Sequence, residues 1–137
     1  MRRGTALVLA MALLSGCSDG SDDAPKPIEG APKEVTQAVA GLEVAIRDRD
    51  FKRICGELFS RSARERAGGE DCAQLVRSTA ANVRRPKISQ LSIRVRGDRA
   101  DVRVRTTAQG QAAIEDTIRL VRERDSWRIA ALASAGG

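Results

Sequence analysis

The sequence predicts a single α+β domain in which three helices precede a four-stranded antiparallel sheet. Apolar residues recur at helical spacing in the first half of this domain, between residues 34 and 86. After Pro86 the period falls to two and β-branched residues become frequent, as in strands. A chain of 137 residues suffices for one domain with a tether, and no second core is expected. We place the domain at residues 34–133 and a disordered tail at 134–137.

The start of the chain has the features of an export signal. Arg2 and Arg3 precede an apolar run from Ala6 to Leu14, which is too short to cross roughly 30 Å of hydrocarbon but fits a signal peptide. The run ends in Leu14-Ser15-Gly16-Cys17, which resembles the lipobox of bacterial lipoproteins. The resemblance implies cleavage between Gly16 and Cys17, lipid on the Cys17 thiol, and an extracytoplasmic protein anchored to the bacterial cell membrane. The alternatives are a plain secretory signal with a chance cysteine, or a short buried helix.

Residues 17–33 are predicted to form a flexible tether. From Ser18 to Pro32 the chain is rich in Gly, Ser, Asp and Pro, and Ile28 is its one sizeable apolar residue. Such a segment buries too little surface to offset the entropy lost on ordering. The tether would separate the domain from the lipid.

Three amphipathic segments follow the tether. The first has apolar residues spaced four, three and four positions apart, as on one face of a helix: Val35, Val39, Leu42 and Ile46. The second begins after an Asp50 N-cap, ends at Gly68-Gly69, and has a stripe of Phe51, Ile54, Cys55, Leu58 and Phe59. The third begins at Glu70 or Asp71, is stopped by Pro86, and has a face of Cys72, Leu75, Val76, Thr79 and Val83.

Four strands complete the predicted domain. The first two, Ile88–Val95 and Ala100–Thr106, flank Gly97-Asp98, a good two-residue hairpin turn. A third strand, 114–123, is joined through Arg124-Asp125 to a fourth, 126–133, which contains Trp127 and Ile129. Each strand follows its neighbour in sequence, so the sheet is predicted to be a meander.

This order of elements, together with the ending Asp125-Ser126-Trp127-Arg128-Ile129, resembles the nuclear transport factor 2-like superfamily over residues 34–133. The resemblance implies a cone-shaped domain whose curved sheet wraps the helices and often leaves a pocket. Many members have glycine in the turn where this chain has Asp125, and their enzymes use His, Tyr or Asp in the pocket. The resemblance therefore implies a fold and carries no activity.

Cys55 and Cys72 remain after lipidation of Cys17, and an even pair in an exported domain predicts a disulfide. Both lie on apolar faces of neighbouring predicted helices. The alternatives are a redox pair or half of a metal site. Redox dithiols generally have C-x-x-C spacing, and zinc needs more ligands than two thiols in a chain without histidine. We expect no metal and no cofactor.

The composition limits the partners and the chemistry. The formal net charge is +6, with 24 basic and 18 acidic residues; it becomes +4 when Arg2 and Arg3 leave with the signal peptide. This excess is well short of a nucleic-acid footprint. Histidine and tyrosine are absent, which removes the commonest general base and the commonest metal ligand. No nucleic acid is expected as a partner, and the oligomeric state is open.

Arginine alternates with aliphatic residues along the first two predicted strands, which places on one outward face Arg94, Arg96, Arg103 and Arg105. Arg119 and Arg128 extend this face. It predicts binding to phospholipid headgroups, an acidic wall polymer or an acidic protein. The alternative is a solvated face whose arginines pair with Asp101, Glu115 and Glu123.

Asp116 shares strand parity with Ile118 and is predicted to point inward, towards any pocket. A buried carboxylate can serve as a general base, as in ketosteroid isomerase-like members of the superfamily. Without Tyr or His to polarise a substrate, this candidate is weak. Phe59 and Trp127 are the aromatic candidates for a pocket lining or for the core.

Three functions are compatible with the sequence. The first is a non-catalytic, membrane-anchored envelope domain that binds a protein or a small apolar ligand in or around the pocket. The second is an isomerase- or hydrolase-like enzyme with Asp116 as base, and the third is docking on anionic envelope components through the arginine face. A pocket that reaches Asp116 would favour the enzyme. A filled core with a continuous basic face would favour docking.

Overall fold

The structure is a computed structural model, and it describes residues 30–134. The predicted signal peptide, Cys17 and most of the predicted tether lie outside the described residues. Helix α1 begins at Ala31, so residues 31–33 belong to its first turn rather than to the tether. The last strand extends to Ser134, one residue beyond the predicted domain boundary. Among residues 30–134, no helix has the length and apolar character needed to cross a membrane.

Helix α1 (Ala31–Arg47) lies along the sheet as predicted from its spacing. Pro32 occupies the first turn, where the helix needs no N–H donor from that residue. Its fully or almost fully buried residues are Val35, Val39, Leu42 and Ala45. The helix ends at an Asp48 C-cap, and Arg49 then adopts a positive φ of 56° that turns the chain back.

The predicted second helix is interrupted. Asp50 caps α2 (Phe51–Arg53) through a 3.1 Å hydrogen bond from the Arg53 amide to its carboxylate. A π-helical turn (Ile54–Leu58) continues it, and Phe59 is then extended, with φ −77° and ψ 144°. The chain resumes as α3 (Arg61–Arg66).

Contacts distant in sequence explain the break. Phe59 forms an isolated parallel bridge with Ile129 of the last strand, and the Ser60 amide donates a 2.8 Å hydrogen bond to the Ile129 carbonyl. The buried Ser60 hydroxyl then accepts a 3.1 Å hydrogen bond from the Ala63 amide and caps α3. Pairing with the sheet thus replaces one helical turn.

A 3₁₀ turn (Gly69–Asp71) leads into α4 (Cys72–Thr79). Helix α4 packs on α2 and the π-helical turn, and the Arg77 guanidinium lies 5.8 Å from the Phe51 ring centroid. Of the face predicted for the third helix, Cys72 is buried and Val76 and Val83 are half-buried, whereas Leu75 and Thr79 are exposed. The helix also ends well before Pro86, so this part of the prediction is only partly met.

The sheet is the predicted antiparallel meander, with strand order β1-β2-β3-β4. Its strands are β1 (Lys87–Arg96), β2 (Arg99–Thr107), β3 (Ile114–Glu123) and β4 (Ser126–Ser134). Two-residue turns join β1 to β2 and β3 to β4. Arg124 and Asp125 both have positive φ, at 48° and 63°, as a type I′ turn requires.

Each edge strand contains an irregularity in register. On β1 it falls between Gln90 and Ser92, and β4 shifts against β3 where Arg119 pairs with Ala131 but Leu120 pairs with Ile129. Extra residues of this kind bend a strand and increase its twist. They give the sheet the curvature expected of a cone-shaped domain.

The core lies between the inner side of the sheet and the helices. The sheet contributes Ala100, Val102, Val104, Ile118, Leu120, Trp127 and Ile129, and the helical layer contributes Val35, Val39, Leu42, Ala45, Phe51, Ile54 and Leu58. The Glu43 carboxylate of α1 accepts a 2.6 Å hydrogen bond from the Ile88 amide of β1. Side chains of the two layers pack against each other in this core.

Candidate functional site

The predicted arginine face exists on the outer side of the sheet. On β2, buried Val102 and Val104 alternate with exposed Arg103 and Arg105. Cross-strand register places Arg94 of β1 opposite Asp101, and Asp101 opposite Arg119 of β3. All four predicted arginines of this face and Arg119 are exposed.

Arg128 does not join this face. Its guanidinium donates a 3.1 Å hydrogen bond to the Gly56 carbonyl and a second hydrogen bond to the Glu57 carbonyl. Both carbonyls belong to the π-helical turn. Arg128 therefore connects β4 to that turn and is structural.

One half of the arginine face is internally paired. The Glu115 carboxylate lies 3.3 Å from the Arg103 guanidinium and 3.6 Å from that of Arg105. Exposed pairs of this kind contribute at most about 1 kcal/mol each to stability. They neutralise part of the local charge, as the solvated-face alternative predicts.

The other half of the face is a groove of about 470 Å³, which we call the arginine groove. Its charged lining consists of one carboxylate, Asp101, and five arginines: Arg66, Arg94, Arg96, Arg99 and Arg119. Five positive charges and one negative charge give the lining a formal charge of +4. Arg119 lies 4.0 Å from Asp101, whereas within residues 30–134 Arg94, Arg96 and Arg99 form no ion pair.

A second groove, of about 260 Å³, adjoins the first where α3 lies beside β4. We call it the apolar groove, because carbon atoms make up nearly all of its exposed lining. Its own lining residues are Phe59, Ala63, Ala67, Ile129 and Leu132, and it shares with the arginine groove Arg66, Ala130 and Ala131. Leu132 is 65% exposed.

The largest of the four grooves that we describe, about 600 Å³, lies between the β3–β4 turn and the start of α3, and we call it the turn groove. It is also basic. Arg61, Glu123 and Arg128 of its lining have partners within the fold, whereas Arg64 and Arg124 form no ion pair within residues 30–134. Both Glu123 carboxylate oxygens accept hydrogen bonds of 3.3 Å from the Arg61 amide, and Arg128 is held by the two carbonyls of the π-helical turn. These contacts are structural, and we do not place the functional site here.

Cys55 lines this turn groove, and the structure joins it to Cys72 in a disulfide. The Cα atoms are 6.1 Å apart, within the usual range for disulfides. The bond connects the π-helical turn to the first residue of α4. Within residues 30–134, no group of three His, Cys, Asp or Glu side chains is placed to hold a metal ion.

A fourth groove of about 480 Å³ separates the start of α1 from β1. The Gln90 amide donates a 3.1 Å hydrogen bond across it to the Thr36 carbonyl. The Thr36 hydroxyl and the Gln90 carbonyl oxygen are buried without a partner among the described residues. No sequence pattern predicts this groove, because it depends on the packing of α1 against an edge strand.

The structure does not bring Asp116, Phe59 and Trp127 into one pocket. Asp116 is half-buried on the inner side of the sheet, paired in register with Val104, and it lines none of the four grooves. Trp127 pairs with Arg122, six residues or roughly 20 Å farther along β3, and belongs to the filled core. Phe59 lines the turn groove and the apolar groove.

No known protein-family profile matches the chain, and no curated protein matches it in sequence. Among solved structures, the chain is similar to one named Rd1NTF2_05, which carries five substitutions. Their TM-score is 0.62 at 10% identity, covering 76% of this chain and 98% of the other. The likeness confirms the predicted nuclear transport factor 2-like fold.

Two other structures are similar at lower TM-scores. One is an NTF2-like candidate transpeptidase from Campylobacter jejuni, with a TM-score of 0.49, 13% identity, and coverage of 74% of this chain and 99% of the other. The second is a phospholipid-binding protein from Ralstonia solanacearum in complex with a phospholipid, with a TM-score of 0.45, 16% identity, and coverage of 80% of each chain. Neither likeness bears on the function of this chain.

Proposed function

We propose that this protein is a bacterial lipoprotein, anchored outside the cytoplasm to the cell membrane through Cys17. Its nuclear transport factor 2-like domain would be a non-catalytic module that docks on an anionic membrane surface. The docking surface is the arginine groove. The observation that carries this proposal is the set of three exposed arginines, Arg94, Arg96 and Arg99, that form no ion pair within residues 30–134.

Electrostatics supports a membrane surface as the partner. Each basic residue close to an anionic membrane contributes about 1 kcal/mol of attraction. Guanidinium groups also bind phosphate through two parallel hydrogen bonds, which fits lipid headgroups. A basic patch adds electrostatic attraction for anionic lipids to the attachment that a lipid anchor provides. The anchor and the arginine groove would therefore reinforce each other.

Two features favour docking over the other functions. Phe59, Asp116 and Trp127 do not line one common pocket, and Asp116 lines none of the four grooves. The sequence has no His and no Tyr to assist Asp116 in proton transfer. The arginine groove, by contrast, combines exposed arginines with a formal lining charge of +4, from five arginines and Asp101.

The test uses the chain from Ser18 to Gly137, which retains every residue that the structure describes and lacks the lipid. Binding to vesicles is measured by flotation, with phosphatidylglycerol-containing vesicles compared with pure phosphatidylcholine vesicles, at low and high salt. We expect binding to the anionic vesicles only, and weaker binding at high salt because salt screens exposed charges.

Neutralising three arginines of the groove identifies the docking face. The variant carries Arg94→Gln, Arg96→Gln and Arg99→Gln, and at about 1 kcal/mol each it should bind about 100-fold more weakly. A control variant with the same loss of charge on the helices carries Arg47→Gln, Lys52→Gln and Arg64→Gln. Equal weakening by both variants, or no binding of the parent to anionic vesicles, would contradict the proposal.

A further inference from the structure

The arginine groove and the apolar groove adjoin each other. Arg66, Ala130 and Ala131 line both, so the charged part and the apolar part meet at these three residues. The Arg66 guanidinium donates a hydrogen bond to the Ala130 carbonyl, which holds the side chain at the junction. A ligand that fills both parts must therefore have a charged end and an apolar end.

The charged part has room for a single headgroup. Its volume of about 470 Å³ lies within the range of roughly 300–1,000 Å³ that ligand pockets occupy. The strand register brings the β1–β2 hairpin and the middle of β3 together here, with Arg99 level with Val121 and Asp101 level with Arg119. A phosphate in this position would receive charge-assisted hydrogen bonds from more than one strand.

The apolar part suits a hydrocarbon chain better than a peptide. A peptide bound along the edge of β4 would need the free backbone groups of that edge, because buried amides must be hydrogen-bonded. Here the Ile129 carbonyl already accepts from the Ser60 amide at 2.8 Å, and the Ala130 carbonyl accepts from Arg66. An acyl chain has no polar group to satisfy and would cover exposed Leu132.

From these contacts we infer a binding site for one phosphate-bearing amphiphile that extends from the outer side of the sheet to the β4 edge, where Leu132 pairs with Ile118 of the core. Its headgroup lies among Arg94, Arg99 and Arg119, and a single acyl chain follows the apolar groove between α3 and β4. The inference deepens the proposed function, because it uses the same arginines, but it adds a discrete site of one-to-one stoichiometry. The domain would hold one lipid molecule as well as touch a lipid surface.

The test measures binding of monomeric dodecyl phosphate to the chain from Ser18 to Gly137 by isothermal titration calorimetry, below the micelle concentration and without vesicles. Inorganic phosphate and uncharged dodecyl maltoside serve as ligand controls. We expect a stoichiometry of one for dodecyl phosphate and at least tenfold weaker binding of either control, since each occupies only one part of the site. Dodecyl phosphate that binds no more tightly than both controls would overturn the inference.

Two variants with matched controls test the two parts separately. The double variant Arg94→Gln with Arg99→Gln should weaken binding of dodecyl phosphate at least tenfold. Its control is Arg103→Gln with Arg105→Gln, because these two arginines lie on the same face but pair with Glu115. The control should change binding less than threefold.

The apolar part is tested by Leu132→Asn, which should weaken binding about fivefold. Its control is Ile114→Asn, because Ile114 is similarly exposed at 55% and lines neither groove. Equal effects within either pair would overturn the inference.

Vesicle binding separates this inference from the proposed function. Docking on a surface needs charge alone, so Leu132→Asn should leave flotation with anionic vesicles unchanged. Vesicle binding without binding of dodecyl phosphate overturns the inference and leaves the proposed function standing. Binding of dodecyl phosphate without vesicle binding overturns the proposed function and leaves the inferred site standing. A short acidic peptide with one leucine that displaces dodecyl phosphate at equal concentration would assign the site to a protein partner and overturn the lipid inference.

Discussion

Truncation of Trp127 tests the core most directly. Its side chain is 6% exposed and is the largest apolar group in the chain. A tryptophan buries roughly 150–250 Å², which at about 25 cal/mol per Å² corresponds to about 4–6 kcal/mol. Trp→Ala changes in cores cost about 3–5 kcal/mol, a large share of the 5–15 kcal/mol typical of a whole domain. We expect Trp127→Ala to lose about 3–5 kcal/mol of unfolding free energy.

The indole N–H adds a second, opposite effect. Trp127 Nε1 is buried without a hydrogen-bond partner among the described residues, and an unsatisfied donor of this kind costs about 1–3 kcal/mol. Trp127→Phe removes that donor and keeps most of the ring. The relief offsets part of the lost packing, so this variant should lie within about 1 kcal/mol of the parent.

Equilibrium urea unfolding of the chain from Ser18 to Gly137, followed by far-UV circular dichroism, measures both changes. Circular dichroism is needed because Trp127 is the one tryptophan, and the variants lose the fluorescence signal. Leu75→Ala, at a residue that is 48% exposed, is the control and should shift stability by no more than about 0.5 kcal/mol. A loss below about 1 kcal/mol for Trp127→Ala would refute burial in the core. A loss above about 2 kcal/mol for Trp127→Phe would indicate that the N–H is hydrogen-bonded.

Two further predictions concern the cysteines. The Cys55–Cys72 disulfide closes a loop with a sequence separation of 17, so replacing both cysteines by alanine should cost roughly 3 kcal/mol and lower Tm by more than about 10 °C in calorimetry; two alkylatable thiols in freshly isolated parent protein would contradict the bond. Cys17→Ala should accumulate as an uncleaved precursor without lipid, because no other side chain of the lipobox carries a thiol. Intact mass and detergent partitioning of the two forms report it, and normal processing of the variant would exclude the lipoprotein prediction.

Local sequence patterns predicted most of the fold, because most elements are stabilised by their own periodicity and turns. The spacing of Val35, Val39 and Leu42 marks the buried face of α1, and all three are buried. The turn at Arg124-Asp125 was predicted from its position between two strands, and both residues have positive φ. Alternation on β2 predicted the outward direction of its arginines. Each of these signals lies within a few residues of the feature that it predicts.

The features that escaped prediction depend on contacts between distant segments. Phe59 continues the helical spacing of the preceding residues, yet it bridges Ile129, and nothing near Phe59 in sequence announces that partner. Ser60 carried a local signal, since serine is a preferred N-cap, but without the bridge the signal is ambiguous. The interruption places α3 beside β4, and only then does Arg66 reach the Ala130 carbonyl.

This dependence explains why the arginine face was predicted but the groove was not. Arg94 and Arg96 follow from strand alternation, whereas Arg66 comes from α3 and completes the lining only through the tertiary fold. The ion pairs divide the face in the same way. Glu115 neutralises Arg103 and Arg105 through cross-strand neighbours, and this pairing depends on a register that periodicity alone does not fix.

The outer location of the proposed site follows from the way the chain completes its core. A domain of about 100 residues buries a modest fraction of its surface, so an internal ligand cavity would remove packing that it needs for stability. Trp127 and Leu120 instead fill the interior. The outer face has no such constraint, because substitutions at exposed arginines change stability little. Arg94, Arg96 and Arg99 form no ion pair within residues 30–134, so their replacement in the docking test should weaken vesicle binding without unfolding the domain.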